Sequence, residues 1–129
     1  MAAMTQVETD QAPAAVGPYS QGIVAGPWVF VSGQIGMIPG TGELAGPAFA
    51  DQARQALENL GAVIEAAGCK RSDVVSVEVF LTDMGRFAEV NEIYADFFGD
   101  HRPARAALGV SALPKGAAVE VKCIAQRSG

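Results

Sequence analysis

The spacing of apolar residues changes period several times along the chain. Residues 21–35, QGIVAGPWVFVSGQI, are crowded with β-branched and aromatic residues and interrupted by Gly26-Pro27. That pattern predicts two short strands joined by a turn, the second ending at Ser32-Gly33-Gln34. A glycine-rich loop follows from Met37 to Pro47. From 48 to 67 the period is helical: Ala53, Leu57, Leu60, Ile64 and Ala67 recur at steps of four and three, and Gln52, Arg54, Glu58 and Glu65 fall off that stripe. Pro47 suits a first helical position and Gly68 a stop. Residues 74–82 return to a period of two, with Val75, Val77, Val79 and Leu81 on one face. A second helix is predicted from about Arg86 to Phe98, with Asp83 as its N-cap and Phe87, Val90, Tyr94 and Phe97 as its apolar stripe. Two strands close the chain, near Ala104–Gly109 and Ala118–Gln126, separated by a turn at Leu113-Pro114-Lys115-Gly116. A further strand is expected around Thr5–Glu8.

This order predicts an α+β domain, a mostly antiparallel sheet with two helices on one face. A sheet covered on one side only should alternate apolar and polar residues. Val29-Phe30-Val31 and Val79-Phe80-Leu81 are instead apolar on both faces. Two helices cannot cover both. The second face is expected to meet another copy of the same sheet in a homo-oligomer.

Composition narrows the function. The 129 residues, half of them hydrophobic, suffice for one domain over 1–129 with a core that needs no metal or disulfide. No apolar run approaches a membrane span, and the N-terminus lacks a charged segment followed by an apolar one. A reduced, cytoplasmic protein is the expectation. Nine Lys plus Arg stand against fourteen Asp plus Glu, a net charge of −5. That balance argues against gripping nucleic-acid backbones. It leaves room for a small anionic substrate, which needs one well-placed Arg. Two cysteines, Cys69 and Cys123, and one histidine, His101, cannot build the usual zinc site, so no metal is expected. Cys123 falls on a core face. Cys69, near a helix end, reads as exposed, and so does His101. Phosphate-binding glycine loops, dinucleotide fingerprints and nucleophile elbows are absent.

A few polar residues sit where burial is expected. Arg105 lies in a strand of small neighbours. It is either an edge-strand side chain with its head in water or a half-buried guanidinium whose fork matches a carboxylate. Glu120, in Val119-Glu120-Val121, faces away from Val119, Val121 and Cys123. On a solvent face it is an ordinary surface acid; on an oligomer face it would need a partner or a task, and Arg105 on a nearby strand is one candidate partner, in a structural ion pair. Tyr19 lies in a turn feeding a strand. Ser32 and Gly33 stand at a strand end, where glycine permits close backbone approach by a ligand. Asn91, a mediocre helix former, sits at the edge of an apolar stripe.

From end to end the chain resembles the Rid family (reactive intermediate deaminase, also called YjgF). The matching pieces, in order, are APAAVGPYSQ at 12–21, SGQ at 32–34, QARQALENL at 52–60, VFLTDM at 79–84, FAEVNEIY at 87–94, PAR at 103–105, LPKG at 113–116 and VEV at 119–121. The resemblance implies a chorismate-mutase-like fold and a homotrimer with a central β-barrel, helices outside and ligand sites in clefts between subunits. It implies hydrolysis of 2-imino acids, derived from 2-aminoacrylate and related enamines, to 2-keto acids and ammonia, without metal or organic cofactor. By position, Arg105 matches the carboxylate-binding arginine and Glu120 the acid that positions or activates water. Tyr19, Ser32, Gly33, Asn91 and Ala107 match other cleft positions. The partners implied are the small imino or keto acid and further copies of the chain, with neither nucleic acid nor membrane.

Two departures stand out. Archetypal members often carry cysteine where this chain has Ala107. The segment Gly99-Asp100-His101-Arg102 is shorter than in many archetypes and borders the cleft. The alternative to catalysis is a keto-acid-binding or regulatory trimer. A ribonuclease role attached to some relatives sits poorly with the acidic balance. Chorismate mutase chemistry would need several cations around a dicarboxylate, where only Arg105 is evident.

Overall fold

The computed structural model describes residues 4–127. Six strands form one sheet: β1 (Met4–Val7), β2 (Gly22–Ala25), β3 (Trp28–Ile35), β4 (Val74–Leu81), β5 (Ala104–Gly109) and β6 (Val119–Gln126). Their spatial order is β1-β2-β3-β6-β4-β5. All neighbours are antiparallel except β4 and β5. Helix α1 (Phe49–Ala66) links β3 to β4, and α2 (Phe87–Phe98) links β4 to β5. β3 and β4 both run antiparallel to β6, hence parallel to each other, so each helix is a crossover between parallel strands. Both crossovers step the same way across the sheet. With one handedness for such connections, both helices land on the same face. The α+β expectation stands, and every predicted strand and helix is present to within about two residues.

Helix α1 buries Ala53, Leu57, Leu60, Val63 and Ile64 against β3 and β6. It ends as its glycine demands. Gly68 takes φ 86°, its N–H donates to Glu65, and the N–H of Cys69 reaches the carbonyl of Ile64. That turn folds Cys69 back into the core at 5 % exposure, correcting the expectation that it is exposed. Gln52 is also buried, although polar and off the apolar stripe. Its Nε2 donates to the Gly46 carbonyl and its Oε1 accepts the Ala118 N–H, both at about 3 Å. Asn59, fully buried, donates to the carbonyls of Ile35 (3.1 Å) and Met37 (2.8 Å), and so pins the end of β3 to α1.

Other expectations shift locally. Val75 is exposed, and Val74 takes its place in the core, because β4 carries an extra residue between its pairings to Ala125 and Ile124. Asp83 caps a 3₁₀ turn at Met84–Arg86 by accepting the Gly85 N–H, and α2 starts only afterwards at Phe87. The buried stripe of α2 is Val90, Ile93, Tyr94 and Phe98, whereas Phe87 is 37 % exposed. His101 is half-buried rather than exposed.

The sheet face away from the helices is the uncovered one. It carries Ile23, Phe30, Ile124, Phe80 and Leu108, with Phe30 45 % exposed. No helix among the described residues is long and apolar enough to cross a membrane.

Asn59→Ala removes both amide hydrogen bonds to the end of β3; the buried Met37 carbonyl loses that donor, while the Ile35 carbonyl keeps the Met37 N–H. We expect a loss of about 1–3 kcal/mol in urea unfolding at fixed protein concentration. An unchanged midpoint would mean that the β3 end is held by other contacts.

Candidate functional site

The predicted site residues fall into two groups on opposite faces of the sheet. The first gathers around Glu120. In β6, Val119, Val121, Cys123 and Ala125 point to the helices and are buried, so Glu120 points to the uncovered face, paired with Phe80 on β4 and Ile35 on β3. Beside it β3 does not end at Ser32-Gly33-Gln34 but bulges there: Val31 and Gln34 pair with Cys123 and Val121, three steps against two. The bulge places Gly33 against the carboxylate, and a Cβ at Gly33 would run into Glu120. The glycine thus makes room for the protein's own acid.

Tyr19, Gly33, Pro114 and Glu120 line two adjoining hollows of about 190 and 570 Å³, and Ser32 lines the larger. The Ser32 hydroxyl donates to the Ser20 carbonyl at 2.5 Å, and its N–H donates to Gln21, tying the Tyr19 turn to β3. Lys115, which the sequence treated only as part of a turn, lines the smaller hollow with φ 59°. Its Nζ donates to the Gly42 carbonyl at 2.9 Å. Burial pushes the Glu120 carboxyl above its ordinary value, and Lys122 pulls it partly back. A carboxylate raised in this way is a better proton acceptor.

The second group gathers around Arg105 on the edge strand β5. Arg105 pairs with the buried Val77, so it points to the helix side of the sheet, and Ala107, two residues on, shares that side. Its Nη1 donates to Asn91 Oδ1 at 2.7 Å. The guanidinium carbon lies 4.9 Å from the Tyr94 ring centroid and 5.5 Å from that of Phe87. Phe87, Asn91 and Tyr94 stand at steps of four and three on α2, one face of the helix turned toward the strand. Phe87, taken from sequence as core, is a wall for this cation, whereas Tyr94 is buried in the core as expected and borders the cation as well. Arg105 itself is exposed, and only Nη1 is engaged among the described residues.

The structure brings Tyr19, Ser32, Gly33 and Glu120 together, and separately Asn91, Arg105 and Ala107. It does not join the groups. β4 lies between β5 and β6, and the two charged side chains leave opposite faces. The ion pair between Arg105 and Glu120 considered from the sequence is therefore absent. The ion pairs among the described residues are Asp51–Arg54, Arg86–Glu89 and Glu78–Lys122.

Because burial raises the Glu120 carboxyl, ionising it costs the folded state stability as pH climbs from the ordinary carboxylate range through the raised value. Glu120→Gln removes that cost. The variant's thermal midpoint should exceed the parent's at neutral pH, and the two should converge below the ordinary carboxylate range. Equal midpoints at neutral pH would show a well-solvated carboxylate.

Comparison with known proteins adds the identity of the group. The family model described as Endoribonuclease L-PSP matches residues 9–127. A RutC family protein of Pyrococcus horikoshii is 49 % identical over 92 % of this chain and 94 % of its own. The 2-iminobutanoate/2-iminopropanoate deaminase of Rattus norvegicus is 48 % identical over 92 % of this chain and 87 % of its own. A crystal structure of a putative endoribonuclease from Thermotoga maritima superposes with a TM-score of 0.94 at 49 % identity, covering 97 % of this chain and 98 % of that one. The chain belongs to the endoribonuclease L-PSP family, the Rid/YjgF group that its sequence motifs resemble.

Proposed function

We propose that the protein hydrolyses 2-imino acids to 2-keto acids and ammonia, at a site completed between two copies of the chain. The observation that carries this reading is the guanidinium of Arg105. It is held on one side by Asn91, flanked by two aromatic rings, and open on the rest of its fork. A planar carboxylate is the ligand that such a fork fits, bidentately. The deaminase name of the Rattus norvegicus relative points the same way.

The chemistry asks for little more. An imine carbon next to a carboxylate is already electrophilic, so no covalent nucleophile is required. Arg105 fixes the carboxylate and thereby the position of C2. Glu120 takes a proton from a water molecule whose oxygen adds to C2. The nitrogen is protonated, the C–N bond breaks, and ammonia leaves as the C=O bond forms. Tyr19, Ser32 and Gly33 shape the side of the cleft that holds the acid.

Arg105 and Glu120 can serve one substrate only if different copies supply them. The uncovered face supports that assembly, since Phe30, Ile124, Phe80 and Leu108 lie on it around the Glu78–Lys122 ion pair with no helix to cover them. We infer a homotrimer whose sheets enclose a barrel and whose clefts join the Arg105 side of one copy to the Glu120 side of the next.

Sedimentation equilibrium at micromolar concentration should return about three times the chain mass, and a stable monomer would remove the shared site. Arg105→Lys keeps the charge but loses the fork. A charge-assisted pair of about 1.5–3 kcal/mol predicts a fall of roughly tenfold to a few hundredfold in kcat/KM for 2-iminobutanoate. Glu120→Gln should bind 2-oxobutyrate nearly as the parent does in calorimetry while losing about 10²–10⁴ in kcat. Unchanged turnover in Glu120→Gln would take that residue out of the reaction.

A further inference from the structure

Arg105 is not the only cation in its hollow. The space beside it, about 420 Å³, is lined by Asn91, Tyr94, Ala95, Arg102, Pro103 and Arg105. Two guanidinium groups thus share a concave surface whose lining, among the described residues, includes no carboxylate. Like charges gathered without a counter-charge are unfavourable unless an anion joins them.

The short loop before β5 is what puts Arg102 there. Gly99 ends α2 with φ 62°, and its N–H donates to the Ala95 carbonyl at 2.9 Å. The His101 N–H donates to Phe98 at 3.2 Å, and its ring Nε2 donates to the Val74 carbonyl at 2.6 Å. The loop is thereby stapled to the start of β4. Arg102 folds back, and its Nη1 donates to the carbonyls of Gly99 and His101. These contacts close the helix end, yet they use one nitrogen of the fork. Nε and Nη2 have no protein acceptor among the described residues.

Tyr94 lines the same hollow. Tyr94 is only 7 % exposed, and its hydroxyl has no hydrogen-bond partner among the described residues. An enclosed hydroxyl without an acceptor is costly. Burial pushes its phenol up; Arg105 pulls it back, Cys123 raises it and Arg102 lowers it.

We propose that this hollow is a second anion subsite, through which Arg102 selects imino acids that carry an acidic side chain. Arg105 and Arg102 then divide the two carboxylates of a 2-imino dicarboxylate, with Tyr94 and Pro103 as the hollow's uncharged walls. The proposal rests on the deaminase reading and narrows its substrate class. The reaction is unchanged: 2-iminoglutarate or 2-iminosuccinate plus water gives 2-oxoglutarate or 2-oxosuccinate plus ammonia, with no oxidation or reduction.

The test uses the full chain and the variants Arg102→Gln and Arg102→Lys. Affinity for 2-oxoglutarate and 2-oxobutyrate is read by calorimetry. Turnover is read on imines made in place by an amino-acid oxidase from glutamate and from 2-aminobutyrate. Arg102→Gln should weaken 2-oxoglutarate binding about tenfold or more while 2-oxobutyrate stays within about twofold, with the same split in kcat/KM. Arg102→Lys, which keeps a donor for the loop carbonyls, should fall between parent and Arg102→Gln. Equal losses for the two keto acids, or no loss for either, would overturn the subsite and leave Arg102 as a helix cap. A parent that hydrolyses neither imine would instead overturn the deaminase reading itself.

Discussion

A β-strand turns successive side chains to opposite faces, and that alternation decides how this protein can work. In β6 it sends Val119, Val121 and Cys123 under the helices and Glu120 the other way. In β5 the parallel pairing with β4 sets Arg105 beside buried Val77, on the helix side. No rotamer change brings Arg105 and Glu120 together across the intervening β4. The two groups that the proposed chemistry needs are kept apart by the same hydrogen-bonded ladders that hold the fold.

In the proposed reaction, assembly and catalysis are therefore coupled through one surface. The face that bears Glu120 also bears Phe30, Ile124, Phe80 and Leu108, and no part of the described chain covers it. Burying the remaining exposed surface of these apolar side chains favours association, against the loss of freedom it costs. Glu120 sits at the end of this apolar field, next to the Ser32-Gly33 bulge and the Lys115 turn. A partner that covers the face also removes water from around the carboxylate. In the inferred trimer this raises its proton affinity further, and it brings the partner's arginine to the cleft.

Most of the fold was legible because the apolar period is strong: strand and helix boundaries fall within about two residues of those read from it. The uncovered second face was legible for the same reason. What escaped has local causes. The run Val74-Val75-Ser76-Val77 carries no mark of the bulge that exposes Val75. In FAEVNEIYADFF two stripes overlap, and packing adds Ile93 and Phe98 to Val90 and Tyr94 in the core while Phe87 is left beside Arg105. Gln52 and Asn59 are buried through hydrogen bonds that no hydropathy pattern contains. For the site, the residue types at 105 and 120 were legible, but their relative faces were not. That depends on the phase between β5 and β6, which is set by the intervening β4.

The central claim is that one active site takes Arg105 from one copy and Glu120 from another. Mixing two damaged chains tests it most directly. Arg105→Ala and Glu120→Gln are assembled together in equal amounts, by co-expression or joint refolding, and imine hydrolysis is compared with that of each variant assembled alone. A shared site predicts that random mixing restores about one quarter of the parental activity, since each cleft draws one intact group from each of two copies. Activity no higher than the sum of the separately assembled variants would mean that each chain builds its site alone, and would contradict the account.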